Sequence, residues 1–165
     1  TLTSNAIVNS VVFSVTDNSP ATAPQTPAIV PAGFRVGTFN ILTAPVTSTR
    51  SSTISAANGG VVRSVTMIVR IAALQSIIVS PSQLQGGNPY AGLVTLDGKA
   101  AGSGLTVGLT SANAIVQLPA SLTIAAGNTQ GLFVGNTTRP AQTLMIVITA
   151  SLNGITRATT IIVTP

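Results

Sequence analysis

Residues 1–71 align with residues 95–165 at a constant offset of 94 without a gap, and this duplication constrains the fold more than any other feature of the sequence. Matches are spread along the whole segment: Thr1/Thr95, Leu2/Leu96, Thr16/Thr110, Gly33/Gly127, Gly37/Gly131, Phe39/Phe133, Ile54/Ile148, Ala56/Ala150, Gly60/Gly154, Arg63/Arg157 and Val69/Val163. Of the 71 aligned positions 17 are identical, where about six would coincide by chance, so the chain carries two copies of one unit. The domains are expected at 1–71, an incomplete repeat, and 72–165, a complete one. The first copy lacks the counterpart of Ala72 to Val94. Either the chain is cut from a longer tandem array, or a segment from elsewhere completes its first domain.

Within the complete unit, strand-like runs recur about every ten residues between turn signals, the pattern of an all-β sandwich. The runs are Ser76–Val79, Tyr90–Leu96, Leu105–Thr110, Ile115–Leu118, Leu122–Ile124, Gln130–Val134, Leu144–Ser151 and Ile155–Val163. Asn153-Gly154, between two apolar runs, is a strong hairpin signal, and Gly59-Gly60 in the first copy grants the same backbone freedom. Alternation places Thr159, Ile161 and Val163 on one face of the last strand, with Val65, Met67 and Val69 as their equivalents, and this is the expected core face. Ile162 and its equivalent Ile68 then point outward in both copies, which marks them as a candidate assembly surface. Pro20, Pro24, Pro27 and Pro31 crowd the middle of the first copy, and because proline cannot donate to a strand ladder this region is expected to be a loop or edge where the two domains differ.

Composition excludes much chemistry. The chain is 45% hydrophobic but only 5% charged, with no Cys and no His. Asp17 and Asp97 are its only acids. The side chains for zinc sites, Cys–His or Ser–His–Asp nucleophiles and haem ligation are therefore largely missing. A calcium loop needs several closely spaced oxygen ligands, and neither Asp has an acidic neighbour, so both read as turn caps. No metal, cofactor or enzyme activity is expected. The net charge of +5 comes from seven basic residues scattered singly, and without a basic patch or aromatic platforms nucleic-acid binding is not expected either. No apolar run approaches the roughly 18–20 residues of a membrane span.

These residues resemble bacterial immunoglobulin-like repeats, the tandem modules of large secreted and cell-surface proteins. The likeness spans the chain. It rests on Leu74-Gln75-Ser76-Ile77-Ile78-Val79-Ser80-Pro81 followed by Gly86-Gly87, and on Gly92-Leu93-Val94-Thr95-Leu96 followed by Asp97-Gly98. It continues through Leu118-Pro119-Ala120-Ser121-Leu122-Thr123-Ile124-Ala125-Ala126-Gly127, then Phe133, and closes on the run Ile148 to Arg157. The resemblance implies two immunoglobulin-like β-sandwich domains in tandem, the first without its N-terminal strand segment, and an extracellular, non-catalytic spacer, stalk, adhesin or fibre module. It brings no catalytic residues.

The functional expectation is a structural module of an extracellular assembly, such as a filament, fibre or surface stalk, that associates with itself or with neighbouring repeats by sheet packing or strand addition. The alternatives are a carbohydrate-binding or adhesin module, for which Tyr90 would be the aromatic to test, and an accessory domain of a secreted enzyme. Asn136-Thr137-Thr138 fits the N-glycosylation sequon, which makes Asn136 a candidate modification site. Arg63 and Arg157, equivalent and placed just after the hairpin turn, read as basic residues that guard an exposed edge.

Overall fold

Alternating apolar and polar residues between tight turns fold into strands in both copies, and the computed structural model, which describes residues 1–6 and 9–165, is all-β. The chain divides into two compact units, Thr1–Arg70 and Ile71–Pro165. The first holds β1 (Val11–Asp17), β2 (Thr22–Pro24), β3 (Ala28–Val30), β4 (Ile41–Thr43), β5 (Arg50–Asn58) and β6 (Val61–Val69). In the second are β7 (Leu74–Ser80), β8 (Gln83–Gln85), β9 (Pro89–Leu96), β10 (Leu105–Ser111) and β11 (Val116–Gln117). They are followed by β12 (Ser121–Ile124), β13 (Gln130–Thr137), β14 (Leu144–Leu152) and β15 (Ile155–Thr164).

The second unit is a closed sandwich. One sheet runs β11-β13-β9-β7 and the other β12-β10-β14-β15-β8. β7 lies in the first sheet, and β8 crosses to the second, where it pairs parallel with β15. That division of the opening strands, with β9 beside β13 and β14 between β10 and β15, is the immunoglobulin-like arrangement. Inward positions of both sheets form one cluster in which Leu74, Val94, Val107, Ile124, Ile148, Ile161 and Val163 are essentially inaccessible. Each such side chain contributes about 1.5–3 kcal/mol by leaving water. Ile161 and Val163 occupy the face that alternation assigns to the core.

The first unit repeats the same scaffold. Shifted by 94, β1 falls on β10, β5 on β14 and β6 on β15. The short strands β2 and β3 coincide with β11 and β12, so the proline-rich stretch keeps its counterpart's strands. It is an edge as expected, with β3 ending the β3-β1-β5-β6 sheet, but it is not where the two units diverge. Backbone bonds repeat too: Ala6 N–H donates to Phe34 O as Ala100 N–H does to Asn128 O, at 2.9 Å in both. The hairpin turns match, with Asn153 and Gly154 at φ 49° and 81°, and Gly59 and Gly60 at 55° and 79°.

Among the described residues the first unit has no strand equivalent to β7, β8 or β9. Its second sheet is only the pair β2-β4. Val65, expected on a core face, is exposed, and Met67 is half-buried where its counterpart Ile161 is sealed. Among the described residues no strand of the first unit takes the place of β7 and β9, which cover the second core. The first unit's own cluster reduces to Val15, Ala28 and Ile54, with Phe13, Ile41, Ala56 and Met67 packed at its margin.

Candidate functional site

Where β9 lies in the second unit, the first has an apolar groove of about 470 Å³. Phe13, Ala28, Val30, Phe39, Ala56 and Val61 line it, with Arg63 at its rim and Thr1 to Thr3 at one end. Its origin can be read residue by residue. Phe133 is 5% exposed because Tyr90 packs edge-on against its ring; Phe39, at the equivalent place, has no such neighbour and is 37% exposed. Residues 130–136 form a ladder with β9, but no strand forms over the equivalent residues 36–40. A strand edge without a partner has nothing to hold its ladder geometry.

The slot keeps its register even though it is open. Leu96, last residue of β9, donates its N–H to Thr129 O at 2.8 Å; Leu2 donates its own to Arg35 O at 2.9 Å, the same bond moved by 94 positions. Thr1 and Leu2 thus sit where the last two residues of a β9 strand belong. Arg157 donates from Nε to Gln75 O of β7 at 2.9 Å and from Nη1 to Thr156 O. Its counterpart Arg63 repeats the second bond, to Val62 O, and has no β7 carbonyl to meet. Arg157 therefore ties strand β15 to β7, which goes beyond guarding an edge, and Arg63 makes no such tie.

One position differs in size between the two units. At Gly135 an added Cβ would fall against the Tyr90 ring and the Gln117 carbonyl, so glycine there makes room for the tyrosine. The first unit has Ile41 at this place, half-buried against its small core. A second difference lies deeper. Val116 and Ile146 pack in the second core, whereas their counterparts Thr22 and Ser52 are a buried hydroxyl pair 2.6 Å apart, and Thr22 also donates to Asp17 Oδ2. Asp17 therefore anchors a side-chain network. Asp97 accepts from Ala73 N–H at 2.7 Å, which fits the capping role.

The remaining sequence candidates are dispersed. Ile68 is 67% exposed on β6, opposite Ser51. Ile162 is half-buried on β15, where Met145 pairs with it on one side and Gln83 of β8 on the other. Asn136 is exposed on β13, within the ladder and opposite Gln117 and Pro89. Tyr90 is sealed in the core at 2% exposure, so it cannot serve as a carbohydrate platform; burial pushes its phenol above the ordinary value. Sequence reasoning missed Phe39 and Arg63 as lining residues. The 23-residue gap in the first copy was the available signal, since subtracting 94 from every neighbour of β9 names them.

Among the described residues no buried side-chain nitrogen or oxygen lacks a partner, and no helix is long and apolar enough to cross a membrane. No protein-family model and no curated protein matches the chain. Among solved structures, domains 4 and 5 of the S-layer protein SbsC match at 15% identity and a TM-score of 0.40, over 98% of this chain and 72% of that one. A fragment of the same protein with domains 4–9 matches at 14% identity and 0.40, over 99% of this chain and 23% of that one. An endo-fucoidan hydrolase of glycoside hydrolase family 107, MfFcnA4, matches at 14% and 0.32, over 93% and 23%. At such identities and scores, the two copies within this chain remain the informative comparison.

Proposed function

We propose that the chain is a non-catalytic structural module of an extracellular assembly, two immunoglobulin-like units in series that belong to a filament, fibre or surface stalk. The observation that carries this reading is the set of exposed apolar side chains on the sheets of both units, Val65 and Ile68 on β6, Leu132 and Val134 on β13 and Met145 on β14. Contact with a further polypeptide removes the cost of leaving such side chains in water. The composition agrees: with 5% charged residues there is little repulsion between like surfaces, and few ions to desolvate on contact. Secretion or display at the cell surface follows as part of the proposal. Ile68, Ile162 and Asn136 are outward-facing positions that such an assembly could cover or modify.

Immunogold labelling of intact producing cells, combined with chemical cross-linking, tests it. The proposal expects label on the outside and cross-links from this chain to other copies or to neighbouring repeats. An intracellular location, or a chain that cross-links to nothing, would overturn it.

A further inference from the structure

A sheet edge carries a row of unpaired N–H and C=O groups, and proteins that stay apart blunt it with a short strand, a proline, a charge or a cover. Among the described residues the second unit ends its two sheets at β11, β7, β12 and β8, and three of these edges are blunted by length. β11 has two residues, β12 four and β8 three, the last between Pro81 and Gly86. β7 has seven, holds neither proline nor charge, and pairs with β9 alone. We propose that β7 is a self-pairing edge: it joins two copies of this chain by antiparallel strand addition about a two-fold axis through Ile78, so that the sheet β11-β13-β9-β7 runs on into the second copy. This rests on the assembly reading and names the surface through which copies meet.

The strand's own sequence identifies its partner. The register shift of β7 falls at its start, between Leu74 and Ser76, and the regular stretch that follows, Ser76-Ile77-Ile78-Val79-Ser80, reads alike in both directions. In an antiparallel pair centred on Ile78, Ser76 faces Ser80 of the second copy, Ile77 faces Val79, and Ile78 faces itself. Both faces of the sheet then match. Ile77 and Val79 are turned into the core, while Ile78 is outside and 56% exposed. A two-fold interface requires one patch to complement itself, and this stretch does so at every position. The outer surface extends the match, because Ile78 lies opposite Leu93 and Leu93 opposite the exposed Leu132, an apolar row that pairing carries on into the second copy.

Charge does not oppose the pairing. The charged side chains bonded to this part of the chain lie at its start, Arg157 on Gln75 O and Asp97 on Ala73 N–H. The two-fold sends their copies to the opposite end, about 20 Å away at the rise of a strand. That is well beyond the screening length of about 8 Å at physiological salt. So short a strand pair covers less than the roughly 1,200 Å² at which stable interfaces begin. One pair of chains therefore associates weakly, and modules displayed many together gain by avidity.

The test uses the full chain, which has no cysteine of its own. In Ile78→Cys the two-fold sets the new thiol opposite its copy, with Cβ atoms about 4.5–5.5 Å apart, near the span of a disulfide. Under mild oxidation this variant should form a linked dimer at least about tenfold faster than Leu132→Cys, whose thiol is as accessible but stands away from the edge. In the unsubstituted chain, amide exchange of residues 76–80 should slow as concentration rises from about 10 μM to about 1 mM, the range of a weak interface. Ile78→Lys sets two cations face to face and should abolish that slowing, while the exchange pattern of the rest of the second unit shows that it stays folded. No slowing at 76–80, together with equal linking by the two cysteine variants, overturns the proposal. Faster linking through position 132 overturns it in favour of packing between outer sheet faces. Slowing confined to residues 36–42 overturns it in favour of contact through the first unit. Since none of these results depends on cellular location or on cross-links through other surfaces, a failure at β7 leaves the assembly reading intact.

Discussion

Phe133 and Phe39 hold the same place in two copies of one scaffold, and only the first of them has its ring covered, by Tyr90 with centroids 6.4 Å apart and planes at 89°. Phe133→Ala should therefore cost the second unit about 3–5 kcal/mol, the usual loss for a sealed aromatic. Phe39→Ala should cost the first unit no more than about 1 kcal/mol, nearer to a surface change. Urea unfolding followed by amide signals from each unit measures both. Tyr90 makes a pH-dependent contribution as well. Burial disfavours its phenolate, so the folded phenol keeps its proton above the ordinary value of 10.0, while the unfolded chain releases it near that value. The contribution is fully present below pH 10 and is lost as pH rises from there through the folded value. Urea midpoints of the second unit between pH 8 and 11.5 should fall above pH 10, and Tyr90→Phe should flatten that fall.

At the scale of elements, β2 is tied to β5 by the hydroxyls of Thr22 and Ser52, where β11 and β14 rely on Val116 and Ile146. Thr22→Val leaves the sealed Ser52 hydroxyl without its partner and should destabilise the first unit by about 1–3 kcal/mol. Adding Ser52→Ala should recover part of that loss, because an apolar pair leaves nothing unsatisfied; denaturant midpoints of the two variants decide it. Strand legibility followed the same physics. β10, β14 and β15 are long, alternate cleanly and end at glycine or asparagine turns, so the sequence reading placed them within a residue or two. β8 was missed because Gln83-Leu84-Gln85 offers one apolar residue between Pro81 and Gly86, and its pairing with β15 is a long-range event. The reading of the proline-rich stretch as the point of divergence failed for a related reason. β2 and β3 need few ladder bonds at an edge, whereas residues 36–40, with a sequence as strand-like as their counterpart, lack the neighbour that would pair with them.

For the whole molecule, the duplication turned composition into geometry. A chain with many apolar residues and few charges has several ways to hide its surface, and periodicity alone does not choose between them. The offset of 94 does, because it sets residues of the first unit against better covered equivalents in the second: exposed Phe39 against buried Phe133, exposed Val65 against half-buried Thr159, and half-buried Met67 against sealed Ile161. An open edge or core groove was legible in the missing counterpart of Ala72 to Val94, but its walls, which come from β1, β3, β5 and β6 and the segment that follows β3, were not. Substrate or ligand chemistry was legible only as an absence, and the sealed position of Tyr90 removes the aromatic on which the carbohydrate alternative relied.

The central claim is that the two units share one sandwich scaffold, closed in the second and open in the first where β7, β8 and β9 have no counterpart among the described residues. Native-state amide exchange of the chain alone tests it most directly, by comparing residues 36–40 with residues 130–134. Strong protection at 130–134, together with rapid exchange at 36–40 while β5 and β6 stay protected, is the predicted result. Equal protection at both places in a monomer would contradict it, since the first unit would then close without a further strand.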